Sequence, residues 1–214
     1  MMNHNGFIAG EGFPFIIPLG VATLLAFVAE FNGISALLLV LTLFVVWFFR
    51  NPNRKTPEKD GLVISPADGR VIRIEETTSD EQHGRTFQKI SIFMNVFNVH
   101  VNRIPCSGEI RSIRYREGKF LSANLDKASA LNERNTVLLR TADGREIVTV
   151  QIAGLIARRI VCWLKEGMQV RCGERFGLIR FGSRVEVVLP LGATILVRVG
   201  DKVRAGETPI GELT

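Results

Sequence analysis

Apolar residues run without a charged side chain from 13 to 29 and again from 31 to 49, interrupted by Glu30, Asn32 and Gly33. At 1.5 Å per residue each run spans about 26–29 Å as a helix, close to the ~30 Å hydrocarbon core of a bilayer. The pattern predicts a helical hairpin with its turn at 30–33, which either crosses the membrane or dips into it. A cleaved signal peptide would need a basic start and a shorter apolar stretch. Beyond residue 50 the periodicity changes. Short stretches rich in Val and Ile alternate with Gly, Asp and Pro, which predicts strands over 69–75, 89–94, 146–153, 185–189 and 194–199. Only 125–132 reads as a helix. Strands at this spacing predict a mainly β domain, a small barrel or sandwich rather than βαβ units. The expected organisation is an anchor over 1–49, a linker over 50–64 and the β domain over 65–214.

One internal repeat sharpens the fold reading. Gly167-Met-Gln-Val-Arg-Cys-Gly-Glu174 returns as Gly200-Asp-Lys-Val-Arg-Ala-Gly-Glu207. Two copies of G-x-x-V-R-x-G-E predict a pseudo-symmetric β unit with glycines at the turns around a short strand. The signature resembles that of biotinyl and lipoyl carrier domains and related barrel-sandwich modules. Those carriers need a modifiable Lys at a hairpin tip, and neither copy has one. The likeness therefore bears on fold, and a membrane-tethered adaptor or carrier without catalysis stands as the alternative function.

Charge divides the molecule at the same place as hydropathy. All 27 Lys and Arg residues lie at or after Arg50, whereas residues 1–49 carry only Glu11 and Glu30. Arg50, Arg54, Lys55 and Lys59 crowd the exit of the apolar segment, so the positive-inside rule places the β domain on the cytoplasmic side of the cell membrane. The basic excess alone would fit a nucleic-acid binder, but a single Tyr, the lack of an aromatic-rich RNA motif and an apolar anchor weigh against that reading. Cys106, Cys162 and Cys172 form no Cys-x-x-Cys pair and leave one thiol odd, which predicts reduced cysteines. No second His or Cys lies at ligand spacing from any of the three histidines, so no metal site is expected.

Three residues could carry chemistry. His100 lies in Phe97-Asn-Val-His-Val-Asn-Arg-Ile-Pro105, where strand alternation puts Asn98, His100 and Asn102 on one face; such a His also serves as a satisfied buried polar group. Asp68 lies in Ser65-Pro-Ala-Asp-Gly-Arg-Val71, which is equally ordinary turn chemistry. Ser183 follows Gly182, but Val185 stands where a Gly-x-Ser-x-Gly elbow needs its second glycine. What Gly182-Ser183 offers is a hydroxyl one residue beyond an unhindered main-chain carbonyl. Attack of the Ser oxygen on that carbonyl is open to it, given a base and a strained loop.

Taken together these segments resemble a family. Phe48-Phe-Arg-Asn-Pro-Asn-Arg54, Ser65-Pro-Ala-Asp-Gly-Arg-Val71, His100-Val-Asn-Arg103, Asn124-Leu-Asp-Lys-Ala-Ser129, Asn132-Glu-Arg-Asn135 and Arg180-Phe-Gly-Ser-Arg184 occur in the order seen in phosphatidylserine decarboxylases. The chain is similar to their short, membrane-anchored proenzyme form over residues 48–214.

The resemblance implies self-cleavage between Gly182 and Ser183 into a β chain of residues 1–182 and an α chain of residues 183–214, which remain associated. Ser183 would become a pyruvoyl group, the cofactor, with no metal required. That group would form a Schiff base with phosphatidylserine and release CO2 and phosphatidylethanolamine. Asp68 is expected to orient His100 as the base for self-cleavage, and His100 to be the acid in decarboxylation. Arg103 and Arg184 are the candidates for the headgroup phosphate or carboxylate. Some longer members carry a second His where Arg103 stands, and commonly a Leu where Phe181 stands. Phosphatidylserine and membrane lipid are the expected partners. Dimerisation is common among such enzymes, and no segment here marks a homodimer surface.

Overall fold

Sixteen- and seventeen-residue helices, α1 (Phe13–Val28) and α2 (Asn32–Phe48), form where the two uncharged runs lie. They appear in a computed structural model that describes residues 6–79, 85–119, 131–154, 159–180 and 183–213. The chain divides into two units, Met1–Asn53 and Arg54–Thr214.

In the first unit, proline enters the opening turn of α1, where its missing N–H costs nothing. The hairpin closes through Glu30, whose φ of 61° is left-handed, and Phe31 N–H donates to Ala26 O at 2.9 Å. The turn is tighter than expected, because Asn32 and Gly33 already belong to α2. Between the helices the hydroxyls of Thr23 and Thr42 lie 3.2 Å apart, and each also donates to the carbonyl four residues earlier. Leu24, Leu25, Phe27, Leu37 and Val40 are all exposed. A helix apolar on every side and uncovered by protein suits lipid rather than water. Gly10–Val28 is long and apolar enough to cross a membrane, and Asn32–Phe48 is a shorter apolar helix.

The second unit is mainly β. Its strands are β1 (Leu62–Ile64), β2 (Gly69–Ser79), β3 (Arg85–Met94), β4 (Val101–Arg103), β5 (Gly108–Arg116), β6 (Arg134–Arg140), β7 (Glu146–Ala153), β8 (Ile160–Cys162), β9 (Gln169–Val170), β10 (Arg175–Ile179), β11 (Ser183–Pro190), β12 (Thr194–Ile195), β13 (Lys202–Val203) and β14 (Pro209–Glu212). Eight of them form one sheet in the order β13-β2-β3-β11-β7-β6-β5-β9, and two three-stranded sheets run β4-β10-β8 and β1-β14-β12. Among the described residues the named strands pair antiparallel throughout, which suits a sheet with one face packed and one partly solvated. Val185, Ile92 and Ile110 of the large sheet share a single core with Phe176 and Ile160 of one small sheet and Val63 and Ile210 of the other.

The strand expected over 194–199 is shorter, since the chain leaves the sheet after Ile195. The stretch expected as a linker contributes β1, paired with β14, so its last residues are part of the β domain. The helix expected over 125–132 lies mostly outside the described residues; at its end Asn132 bridges to Lys119.

The sequence repeat has a structural counterpart. Its two copies supply β9 and β13, the two edge strands of the large sheet. Gly167 and Gly200 have φ of 81° and 102°, and Gly173 and Gly206 have φ of 78° and 76°. Gly167 N–H donates to Ile110 O and Gly200 N–H to Val71 O, both at 2.8 Å. The strands they border start at equivalent glycines: Gly108 pairs with Val170 and Gly69 with Val203. A Cβ on Gly69 would collide with Phe93 O, and one on Gly108 with Arg140 O. In both cases the obstacle is a carbonyl of the neighbouring strand, which cannot move without breaking the ladder. Gly108→Ala is therefore expected to cost about 1–3 kcal/mol of stability, read as a lower denaturant midpoint. Gly144→Ala, where a Cβ meets open space but φ is 85°, should cost roughly 1 kcal/mol.

Candidate active site

Ser183 is the first residue of β11, a central strand of the large sheet, and is fully buried. It lies opposite Met94 of β3 on one side and Ala153 of β7 on the other. Side chains alternate along a strand, so Ser183 shares a face with Val185 and Val187, which belong to the core. Its hydroxyl donates to Met94 Sδ at 3.3 Å. A thioether is a weak acceptor, so little holds the proton in place.

Arg184, next in the chain, must point through the opposite face. There its guanidinium meets Glu186 at 2.9 Å and donates to Ser91 Oγ at 2.8 Å, with 1% exposure. The pleat puts the sheet between this cation and the Ser183 hydroxyl, and the pairing with Glu186 gives it an internal role.

His100 comes to this end of the sheet through β4 and β10. Ile179 N–H donates to His100 O, and Ile179 is four residues before Ser183, which is at most about 14 Å of extended chain. The imidazole is buried, with Nδ1 3.0 Å from Asn98 O. A carbonyl only accepts, so Nδ1 carries a proton, and in the neutral imidazole Nε2 holds the lone pair. Asn102, two residues on, donates to Met94 Sδ at 3.8 Å and so reaches the sulfur that Ser183 uses. Gln151 Nε2 donates to Asn102 Oδ1, and Asn135 Nδ2 to Gln151 Oε1, both at 2.9 Å. This amide chain is buried and runs from β4 across β7 to β6. Asn132 adds a bond from Nδ2 to Ala153 O at 2.7 Å, fixing the residue opposite Ser183.

Asp68 has other partners than the expected imidazole. Arg54 Nη2 donates to Oδ2 at 2.9 Å, and Ala205 N–H donates to Oδ1 at 2.8 Å. The second bond has a twin in the other half of the pseudo-symmetric unit, where Cys172 N–H donates to Ser107 Oγ at 3.0 Å. Ser107 and Asp68 each precede the starting glycine of a hairpin, and Cys172 and Ala205 hold the same place in the two repeats. One oxygen of Asp68 thus does for its half of the sheet what a neutral hydroxyl does for the other. The charge itself answers Arg54.

Arg103 is also buried, with Nη1 donating to Gly173 O at 2.7 Å. Burial, with Arg175 and Arg54 nearby, lowers its pKa to about 10. Gly206 leaves the space that the Arg103 side chain fills. With Arg54 and Arg171 it lines a cavity of about 460 Å3. All three cysteines are free thiols; burial raises Cys172 to about 11 and Cys106 further, so neither is a ready nucleophile. Among the described residues no three His, Cys, Asp or Glu side chains converge on a metal position. Gly182 and Phe181 lie outside the described residues.

Asn98, Met94, Gln151 and Arg54 were not singled out by the sequence as site residues. Gln151 had a signal: together with Thr149 it puts polar side chains at inward positions of an otherwise apolar strand. Met94 had none, since a methionine ending a strand reads as core.

Comparison with known proteins bears on the same residues. The family model for phosphatidylserine decarboxylase matches residues 41–211. A phosphatidylserine decarboxylase proenzyme of Syntrophus aciditrophicus is 61% identical over 211 residues, covering 98% of this chain and 99% of its own. The proenzyme of Geotalea uraniireducens is 49% identical with both chains fully covered. That of Saccharopolyspora erythraea is 48% identical over 94% of this chain and 86% of its own.

The double duty of Asp68 can be separated. Asp68→Ala removes the cap and one of the two carboxylates paired with Arg54, Glu207 remaining at 3.1 Å, and should cost about 2 kcal/mol. Asp68→Ser keeps a cap of the Ser107 type and should recover about 1 kcal/mol of that loss, measured by denaturant unfolding.

Proposed function

The chain belongs to the phosphatidylserine decarboxylase family, and on that premise we propose that it converts phosphatidylserine to phosphatidylethanolamine and CO2 after cleaving itself before Ser183. The observation that carries the reading is the position of Ser183. It is a buried hydroxyl, loosely held, at the head of a central strand and four residues from the backbone partner of the buried His100.

His100 Nε2 takes the hydroxyl proton as Ser183 Oγ bonds to the Gly182 carbonyl carbon. The C–N bond of that peptide then breaks, the proton goes to the released amine, and an ester replaces the amide. Loss of the Ser183 Cα proton expels the Gly182 carboxylate and leaves a Cα=Cβ double bond. Tautomerisation and attack by water release ammonia and leave a ketone, the pyruvoyl group at residue 183. That group supplies a carbonyl which takes up the substrate amine and withdraws the electron pair left as CO2 departs.

The rest of the chemistry falls to this chain's side chains. Asn98 O keeps the His100 tautomer constant, so Nε2 is the base in self-cleavage and, once protonated, the acid that returns a proton to the substrate carbon. The Asn102–Gln151–Asn135 chain ties β4 of the small sheet to β7 and β6 of the large one beside the reacting residue. Arg103, in its cationic cavity, is the better placed of the two arginines for the headgroup phosphate or carboxylate. Arg184 lies on the other face of the sheet.

The two chains have reason to stay together. The α chain, residues 183–214, would hold β11, β12, β13 and β14. β11 is hydrogen-bonded to β3 and β7, β13 to β2, and β14 to β1, all on the β chain. The apolar hairpin anchors the enzyme in the membrane that holds its substrate, with the basic residues after Phe49 setting the β domain on the cytoplasmic side.

Intact-mass analysis tests the proposal. Wild-type protein should give two chains, 1–182 and 183–214, the smaller reactive toward hydroxylamine, and should release CO2 from phosphatidylserine. Ser183→Ala should remain one 23.8 kDa chain and release none. His100→Gln should slow self-cleavage about 100-fold. Two chains from Ser183→Ala would overturn the assignment.

A further inference from the structure

The end of the β4-β10-β8 sheet that carries His100 also gathers exposed apolar and cationic side chains. At that end Ile179 is paired with Ile160, its N–H donates to His100 O, and Arg180 N–H donates to Arg159 O at 3.2 Å. Arg159 is exposed and Arg180 half-buried. Just before His100 the chain makes a tight turn. Asn95 N–H donates to Asn98 Oδ1 and Phe97 N–H to Asn95 Oδ1, both at 2.9 Å, while Asn98 N–H donates to Asn95 O. Phe97 is at the tip of this braced turn and is 65% exposed, whereas Phe87 and Phe176 are buried and Phe93 is half-buried. The large sheet brings two more apolar side chains to the same end. Tyr115, opposite Asn135, is 55% exposed; its hydroxyl is hydrogen-bonded to Glu133, with Glu117 and Arg159 also close enough to act on it. Leu131, whose carbonyl accepts from Lys119 N–H, is 43% exposed.

A rigid turn that holds an aromatic ring out into water gains nothing from water. An aromatic tip flanked by guanidinium groups is the combination that settles at a membrane interface, the ring at the headgroup–acyl boundary and the cations at the phosphates. We propose that this rim, Phe97 with Tyr115, Leu131, Arg159 and Arg180, docks the β domain onto a bilayer containing anionic phospholipid. The occupant is lipid rather than protein because the site under this rim, as proposed above, takes a diacyl phospholipid that must be drawn from a bilayer. The rim is also net basic, since Arg159 and Arg180, with Arg116 and Lys119 at the same end, outnumber Glu117 and Glu133 beside Tyr115. The same turn provides Asn98 O, which holds His100 Nδ1, so insertion of Phe97 places the imidazole at the level of the headgroups.

The proposal rests on the lipid substrate inferred above, but its test needs no turnover. Full-length protein in vesicles of phosphatidylcholine and phosphatidylserine brominated near the top of the acyl chain would carry a single reporter, in a Trp47→Phe, Trp163→Phe background. Phe97→Trp should have its emission quenched about twofold and shifted to the blue, as expected for an interfacial ring. Leu191→Trp is the control: it is exposed and follows Pro190, at the far end of β11 from Ser183, and should be unquenched. Equal quenching of the two reporters, or none at Phe97→Trp, would overturn the docking surface. Failure of the decarboxylase reading would show separately, as absence of CO2 from the wild-type protein in the same vesicles.

Discussion

Strand β11 is hydrogen-bonded along both edges, to β3 and to β7, and its first residue is Ser183. Because the pleat of a strand is strict, this one register decides which of two adjacent polar residues meets the buried imidazole's end of the core and which pairs with Glu186 behind the sheet. A slip by one residue would exchange Ser183 and Arg184, burying a guanidinium in the apolar core and removing the hydroxyl from it. The alternation of Val185, Val187 and Leu189 into the core makes such a slip costly. The site is therefore secured by the same apolar packing that holds the sheet together.

Around that strand the polar groups are arranged in sets with separate tasks. Asn98 O fixes the tautomer of His100, and the Asn102–Gln151–Asn135 amides satisfy one another in the interior. Buried amides left unpaired would each cost more than their bonds contribute, so the chain stands or falls as a unit. Asp68 belongs to a different set. Its bond from Ala205 ties the start of β2 to the second repeat and its bond from Arg54 ties it to the segment before β1, while the twin bond from Cys172 to Ser107 ties the start of β5 to the first repeat at the other edge of the sheet. The pseudo-symmetry thus separates what an aspartate does as a cap from what its charge does, a distinction invisible from the Pro-Ala-Asp-Gly segment itself.

Much of the architecture was legible in the sequence, and the reasons are local. The apolar hairpin followed from uninterrupted hydropathy, and β7 matches its expected bounds because its Val- and Ile-rich run is bounded by Gly144 and Gly154. The stretch after Ile195 reads as a strand by composition, yet past the bond from Leu196 N–H to Ile210 O the chain runs outside the sheet with Val199 exposed, because strand propensity reports fitness for a pleated surface and not the presence of a partner. Likewise Leu62–Ile64, expected in a linker, becomes a strand because β14 from the far end of the chain lies alongside it.

The sequence by itself determined the anchor, the β character of the domain, the repeat and the identity of Ser183, His100 and Asp68 as residues worth attention. Each is a property of neighbouring residues: hydropathy, alternation, or a motif of a few positions. Only the tertiary structure decided that His100 leans on Asn98, that Asp68 faces Arg54 and Ala205, and that Arg103 faces a cavity while Arg184 is locked to Glu186. These are bonds between segments as far apart as Asp68 and Ala205, and their geometry depends on strand order and register, which no local pattern encodes.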